Sequence, residues 1–184
     1  MKKGFIIIAV IVALLAVMGV SGYNSLVALN ENVNGKWSQI ENQLQRRADL
    51  IPNLVNTVKG FAAQERQVMQ AVTDARAKLA GAQGPAAKAA ADAELSSALS
   101  RLLVVVENYP QLKSDANFRA LMDELSGTEN RIAVARKDYN DAVQAYNARI
   151  QTFPTVIYAR LFGFGPKEYF RAQEGAAAVP QVQF

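Results

Sequence analysis

From Phe5 to Val20 the chain carries no charged or strongly polar side chain, and that run limits what the rest can be. Met1-Lys2-Lys3-Gly4 precedes it and Ser21-Gly22-Tyr23 follows it. A helix from Gly4 to Tyr23 would rise about 30 Å at roughly 1.5 Å per residue, which matches the hydrocarbon core of a bilayer. Everything after Tyr23 is polar enough for water and patterned for helices, so it reads as a cargo tied to one apolar anchor. A signal peptide also starts with basic residues and an apolar run, but it wants only about 7–15 apolar residues and an Ala-x-Ala-like site. Gly19-Val20-Ser21 is the only passable site and a poor one, so we expect a retained signal anchor, with a cleaved, soluble exported bundle as the alternative reading. Lys2 and Lys3 hold the N-terminus in the cytoplasm, because the next basic residue is Lys36. The expected location is the inner membrane, single-pass, with the bulk of the chain on the extracytoplasmic, periplasmic side. Ala9, Ala13, Ala16 and Val20 share one face, a seam of small residues through which helix backbones approach. The plain alternative is that alanine is common in apolar helices.

The formal net charge is +4, half of it from Lys2 and Lys3, so the remainder is nearly balanced and lacks a nucleic-acid footprint. Histidine and cysteine are both absent. That removes His/Cys zinc sites, histidine- or cysteine-dependent nucleophiles and the usual haem and iron–sulfur ligation. No phosphate loop, nucleophile elbow or calcium loop is present, and no cofactor is expected.

Leu26, Leu29, Val33, Trp37, Ile40, Leu44, Ala48 and Ile51 recur at helical spacing, and Val55, Val58, Ala62, Met69, Val72 and Leu79 continue the stripe. Asn34-Gly35 is a weak point in it. Glu65 and Arg76 intrude at positions the spacing would make apolar, and we expect them at the stripe's edge, where long stems pack and heads reach water. Pro52 would delete a backbone hydrogen bond and cost about 3 kcal/mol inside a helix. We therefore expect the first helix to end near Arg47 and a second to start with Asp49 as N-cap and Pro52 in its first turn. Gly81 to Pro85 reads as a loop, and Pro85 opens a helix that buries Leu95, Leu99, Leu102 and Val106. Its alanine-rich start, Ala86 to Ala93, codes for helicity. Pro110 makes the stretch from Glu107 to Lys113 a connection, after which Ser114 or Asn117 caps the last long helix. That helix carries the stripe Phe118, Leu121, Leu125, Thr128, Ile132, Ala135, Tyr139, Ala142, Tyr146, Ile150 and Phe153, at a period near 3.5. Gly127 suggests another backbone passing close. Tyr139-Asn140 and Tyr146-Asn147 repeat one heptad apart, with both rings filling a wide core and their hydroxyls aimed at a polar edge.

The reading is all-α. Residues 1–23 form the cytoplasmic end and the transmembrane anchor, and residues 24–153 an antiparallel up-and-down four-helix bundle. Residues 154–184 form an aromatic and basic segment near the membrane, including Tyr158 and Phe162, followed by a tail without fixed structure alone.

Three stretches carry a family resemblance: Trp37 through Arg47, Pro52 and Gly60-Phe61; Glu107-Asn-Tyr109-Pro-Gln-Leu-Lys113; and Thr128-Glu129 through Arg136 to Asn140. In this order they resemble the LemA family of bacterial membrane proteins, and the resemblance covers nearly the whole chain. It implies a short N-terminal membrane segment and a helical bundle outside it, and it implies no catalytic residues. Gln64-Glu65 stands where the resemblance leads one to expect His-Glu, which weakens any metal role at that position.

Arg46, Arg47, Glu107, Glu124, Glu129, Arg131 and Arg136 remain as candidates for chemistry. They could form structural pairs that fix helix register, a partner-binding surface, or a carboxylate site for a hard cation. Bundle di-iron sites need Glu-x-x-His, and no histidine exists. The expectation is a non-catalytic, membrane-tethered interaction and assembly module, self-associating into homo-oligomers and engaging other envelope proteins. A carboxylate-based enzyme or metal-binding protein is the alternative. Ala9, Ala13, Ala16, Arg47, Glu107, Tyr109, Glu129, Tyr139, Tyr146, Tyr158 and Phe162 are the interaction and structural candidates.

Overall fold

The structure, a computed structural model, describes residues 2–171. The side chains of Lys2 and Lys3, on which the expected orientation rests, lie outside the description, as does the tail after Arg171. Among the described residues six helices follow one another: α1 Lys2–Phe61, α2 Arg66–Gly81, α3 Gly84–Val106, α4 Pro110–Ser114, α5 Ala116–Gln151 and α6 Thr155–Leu161. Among the described residues there is no strand. The chain divides into two compact units, one of residues 1–38 and 138–168, the other of residues 39–137 and 169–184.

In the second unit the expected break at Asp49 is absent. α1 runs unbroken to Phe61 with Pro52 inside it, and Asp49, exposed within the helix, accepts a hydrogen bond from Gln45 Nε2 at 2.8 Å instead of capping anything. The reason lies on α2. Proline at position 52 leaves the carbonyl of Ala48 without its helical donor, and Arg76 Nε donates to that oxygen at 2.8 Å. The arginine that intrudes on the apolar stripe is therefore the group that makes the proline tolerable. The reversal comes later, at Ala62 to Glu65, where Glu65 N donates to Ala62 O at 3.0 Å.

Most of the apolar stripes pack as their spacing requires: Ile40, Leu44, Ile51, Val58, Val72, Leu79, Leu95, Leu102 and Ile132 are buried, while at the turn after Ile51 the buried residue is Leu54 and the expected Val55 is half-buried. Pro85 lies in the first turn of α3. The cap of α5 is neither Ser114 nor Asn117: Asp115 Oδ1 accepts from Phe118 N at 2.8 Å, the geometry of an N-cap carboxylate on the third helical amide. The expectation at Gly127 also fails, since a Cβ built there would meet only the end of the Arg131 side chain, at 3.9 Å.

In the first unit, Leu26 and Val33 of α1 are buried, as are Tyr139, Val143, Tyr146 and Ile150 of α5. Asn34-Gly35 leaves α1 intact. Lys36 Nζ pairs with Asp138 Oδ2 at 2.9 Å, and the Trp37 ring lies 5.4 Å from that of Tyr139. The stripe of α5 holds to Ile150 and fails at Phe153, which is 81% exposed beyond the helix end.

Candidate functional site

Arg47 and Asp92 occupy core positions in the second unit, Arg47 three residues after Leu44 on α1 and Asp92 three before Leu95 on α3. Arg47 is 3% exposed. Its Nη1 donates to Asp92 Oδ1 at 2.6 Å, and its Nη2 to Ser96 Oγ at 3.0 Å and to Glu129 Oε2 of α5 at 2.5 Å. One guanidinium thus ties three helices together with the fixed fork geometry that suits carboxylates. Burial pushes the Asp92 carboxyl above its ordinary range against the pull of Arg47, and Glu129 adds to the rise. Arg47 Nε and, one turn earlier, Gln43 Oε1 are buried without a protein hydrogen-bond partner.

The other charged candidates fall elsewhere. Arg46 Nη2 meets Glu124 Oε1 at 2.7 Å, and Arg131 Nη1 approaches the same oxygen at 3.5 Å; this is a solvent-facing set. Glu107 is exposed in the turn after α3 and enters neither group. Asp92 and Ser96 were missed because they sit in and beside an alanine-rich start read only for its helicity. The signal was there: Asp92 extends the stripe Leu95, Leu99, Leu102, Val106 backwards in phase, so a carboxylate at a core position had to have a partner.

At the turn between α3 and α4, Tyr109 Oη donates to Glu65 Oε1 at 2.9 Å and accepts from Gln64 Nε2 at 2.7 Å. The bond to Glu65 holds the phenol above its usual range. The position expected to carry histidine is therefore a hydrogen-bond donor that locks the α1–α2 turn to the α3–α4 turn. Among the described residues no group of three or more carboxylates is gathered as a metal site would require.

The first unit holds a different arrangement. The Tyr139 hydroxyl, above its usual range through burial, donates to Glu168 O at 2.8 Å. Asn147 Nδ2 donates to Lys167 O at 2.9 Å while Lys167 N donates to Asn147 Oδ1 at 2.8 Å. The tyrosine–asparagine repeat thus clasps the returning backbone, a role that its spacing alone did not disclose. Tyr146 is buried, with Lys167 Nζ 6.0 Å from its ring centre.

The clasp closes a loop that carries α6, whose Thr155 and Ala159 are buried. Gly163, at φ 75°, follows α6 in the left-handed conformation that ends helices, and Phe164 N donates back to Ala159 O at 2.9 Å. That turn sets Phe162 and Phe164 edge-on against Tyr23, with ring centres 4.9 and 5.8 Å away. Tyr158 lies on two glycines of α1: a Cβ built on Gly22 would sit 3.1 Å from its Cδ2, and one on Gly19 3.5 Å from its Cε1. Gly19, Gly22 and Tyr23 are where the apolar run of α1 ends, so the aromatic segment packs on one side of that end, a partial collar. α1 is long and apolar enough to cross a membrane, and its apolar window, of mean hydropathy 2.6, is wholly unburied. Ala9, Ala13 and Ala16 are exposed along it.

A family model described as the LemA family matches residues 36–184. The chain belongs to the LemA family. Magnetosome proteins MamQ 1 and MamQ 2 of Paramagnetospirillum magneticum are each 33% identical to it over 175 residues, a match covering 81% of this chain. This chain spans 64% of the length of each of those two relatives. Magnetosome protein MamQ of Magnetospirillum gryphiswaldense is 30% identical over 189 residues, covering 87% of this chain and 70% of its own length. Protein LemA of Metamycoplasma hominis is 22% identical over 152 residues, with 82% and 69% covered. This LemA-family chain is thus an all-helical, membrane-associated bacterial protein, and the family match takes in the Arg47 cluster, the Tyr109 turn and the α6 side of the collar while the apolar run precedes it.

Proposed function

We propose that this protein is a single-pass, membrane-anchored assembly module without catalytic activity. In this reading α1 crosses the inner membrane with its N-terminus in the cytoplasm, the collar lies at the periplasmic surface of that membrane, and the rest forms an antiparallel up-and-down four-helix bundle that engages envelope components. The single observation that carries the reading is the packing of Tyr158 and Phe162 on Gly19, Gly22 and Tyr23. It brings a segment with Phe153, Ile157 and Leu161 exposed to the level where the apolar run leaves a bilayer. It also favours retention over cleavage, since cutting at Gly19-Val20-Ser21 would remove part of the seat of Tyr158.

Two features support assembly over reaction. The charged groups of the Arg47 cluster pair with one another, and the apolar run of α1 offers a wholly unburied face. Ala9, Ala13 and Ala16 leave an exposed small-residue face on a helix confined to a plane, where tethering raises effective concentration. Relatives named as magnetosome proteins fit such a role at a membrane. The test is the oligomeric state of the full chain in mild detergent against an Ala13→Leu, Ala16→Leu double variant. The reading expects oligomers that the variant loses; a wild type that stays monomeric at high concentration, or a turnover abolished by one carboxylate change, would defeat it.

A further inference from the structure

The first unit, residues 1–38 and 138–168, separates its charges by sign. Its carboxylates are Glu31, Asp138, Asp141 and Glu168, whereas residues 142–167 hold Arg149, Arg160 and Lys167 and no acidic residue. The carboxylates lie away from the collar. Asp138 pairs with Lys36, Glu168 O meets the Tyr139 hydroxyl, and Glu31 is about 12 Å past Tyr23 along α1 at roughly 1.5 Å per residue. The cations lie towards it. α5 passes Lys36 at Asp138 and leads to the collar at Tyr23, and by Arg149 it has risen about 16 Å of the roughly 20 Å that separate Lys36 from Tyr23 along α1.

α6 carries the same sign on its outer side. Thr155 and Ala159 are buried and Tyr158 rests on Gly19 and Gly22, while Ile157, Arg160 and Leu161, three and four residues apart, share the opposite face and are exposed. Among the described residues neither Arg149 nor Arg160 enters an ion pair. Exposed apolar and cationic side chains on one face are the composition of a helix that lies in a bilayer interface, its apolar groups below the headgroups and its cations among the phosphates.

We propose that the outward face of α6 lies in the headgroup layer of the bilayer and selects anionic phospholipid there, with Arg160 and Arg149 as the phosphate-binding groups. The inference rests on the anchored reading above and names the lipid for it. Depth follows from continuity: α6 is seated at the end of the uncharged, wholly unburied run of α1, so a run that spans the bilayer brings this face to the headgroups. Charge complementarity then favours an anionic headgroup over a zwitterionic one, because no carboxylate of residues 142–167 offsets the cations. It also disfavours a second copy, whose own Arg149 and Arg160 would meet these in a two-fold contact.

The test is hydrogen exchange of the full chain in nanodiscs of phosphatidylcholine alone or of equal parts phosphatidylcholine and phosphatidylglycerol, with alkaline carbonate extraction of membranes in parallel. Phosphatidylglycerol should slow the α6 amides of the wild type about tenfold or more, at roughly fivefold for each cation, and leave α2 and α3 unchanged. About 1 M salt, where the screening length falls to about 3 Å, should abolish that slowing. An Arg149→Gln, Arg160→Gln double variant should lose it, and an Arg149→Lys, Arg160→Lys variant should keep most of it. Equal exchange in the two bilayers, or slowing that survives both salt and the glutamine variant, overturns the lipid site and leaves the anchor standing. Slowing that depends on the number of chains per nanodisc and not on the lipid makes the occupant a second copy, and the proposal fails. Release by carbonate overturns both readings.

Discussion

Arg47 is 3% exposed with two carboxylates and a serine around its guanidinium, whereas Leu161 and Phe162 of the collar are 74% and 55% exposed and have only apolar and aromatic walls around them. By residue type the Arg47 cluster is the natural place for chemistry, yet its carboxylates and the guanidinium ends pair with one another, leaving Arg47 Nε without a protein partner. The collar, in sequence an aromatic and basic stretch ahead of a tail, presents the surface that remains to be covered. In the proposed reading the buried charge of the Arg47 cluster fixes helix register, and the apolar surface near α6 is what the chain offers outward. Substitutions can separate the two cases.

The largest effect is expected from Arg47→Ala. It leaves Asp92 buried beside Glu129 with no paired cation and only the weaker pull of Arg136, and removing one partner of a buried pair costs about 3–5 kcal/mol. Urea unfolding of the second unit should show that loss; a change under about 1 kcal/mol would mean that the cluster is as loosely held as a surface pair. On the collar side, Gly22→Leu drives a branched side chain into the Tyr158 ring, already 3.1 Å from the position of a Cβ, and overpacking of this kind costs about 1–3 kcal/mol. The cost should be local. Hydrogen exchange should quicken at the amides of α6 and stay unchanged at α2 and α3, and equal quickening in both would erase the contrast.

Arg76→Ala should cost about 1–2 kcal/mol by leaving Ala48 O without a donor, and in a Pro52→Ala background, where the restored amide serves that oxygen, most of the cost should vanish. Additive effects would show that the arginine and the proline are unrelated. The smallest effect is a pH dependence. Asp92 binds its proton more tightly folded than unfolded, with a folded pKa above the ordinary 3.8, so its contribution is most favourable at acid pH and fades as pH rises through the raised value. The stability of wild type minus that of Asp92→Asn should therefore fall as pH rises above the ordinary value of 3.8. A difference that grows would mean that attraction to Arg47 outweighs burial.

The helices and their buried faces were legible because apolar spacing reports them directly: most stripe residues of α1, α3 and α5 are buried, the exceptions being Leu29, Trp37, Val55 and Leu121, which are half-buried, and Phe153, which is exposed. What escaped was every case in which a side chain far along the chain repairs a local fault. Pro52 reads as a break unless Arg76 is known to reach Ala48. Asp92 reads as helix filler unless Arg47 is known to face it, and the Tyr139 and Asn147 heptad reads as core until the backbone of residues 167 and 168 returns to it. Asp115 escaped as a cap for a different reason: Ser114 and Asn117 are equally good cap types, and only the backbone decides among neighbours. The collar was legible as a composition and not as a place. Its seat depends on two glycines whose value is the absence of a side chain.

The clasp at Asn147 and Lys167 closes a loop of 20 residues around α6. Holding the ends of such a loop together costs about 2.7 kcal/mol of chain entropy plus a constant, and these two hydrogen bonds with that of Tyr139 to Glu168 O return about 3 kcal/mol. The clasp alone is close to balanced, and the contacts of Tyr158 and Phe162 with Gly19, Gly22 and Tyr23 add to it. The loop and the end of the apolar run are ordered together, so disturbing that end loosens a segment whose own closure is near balance.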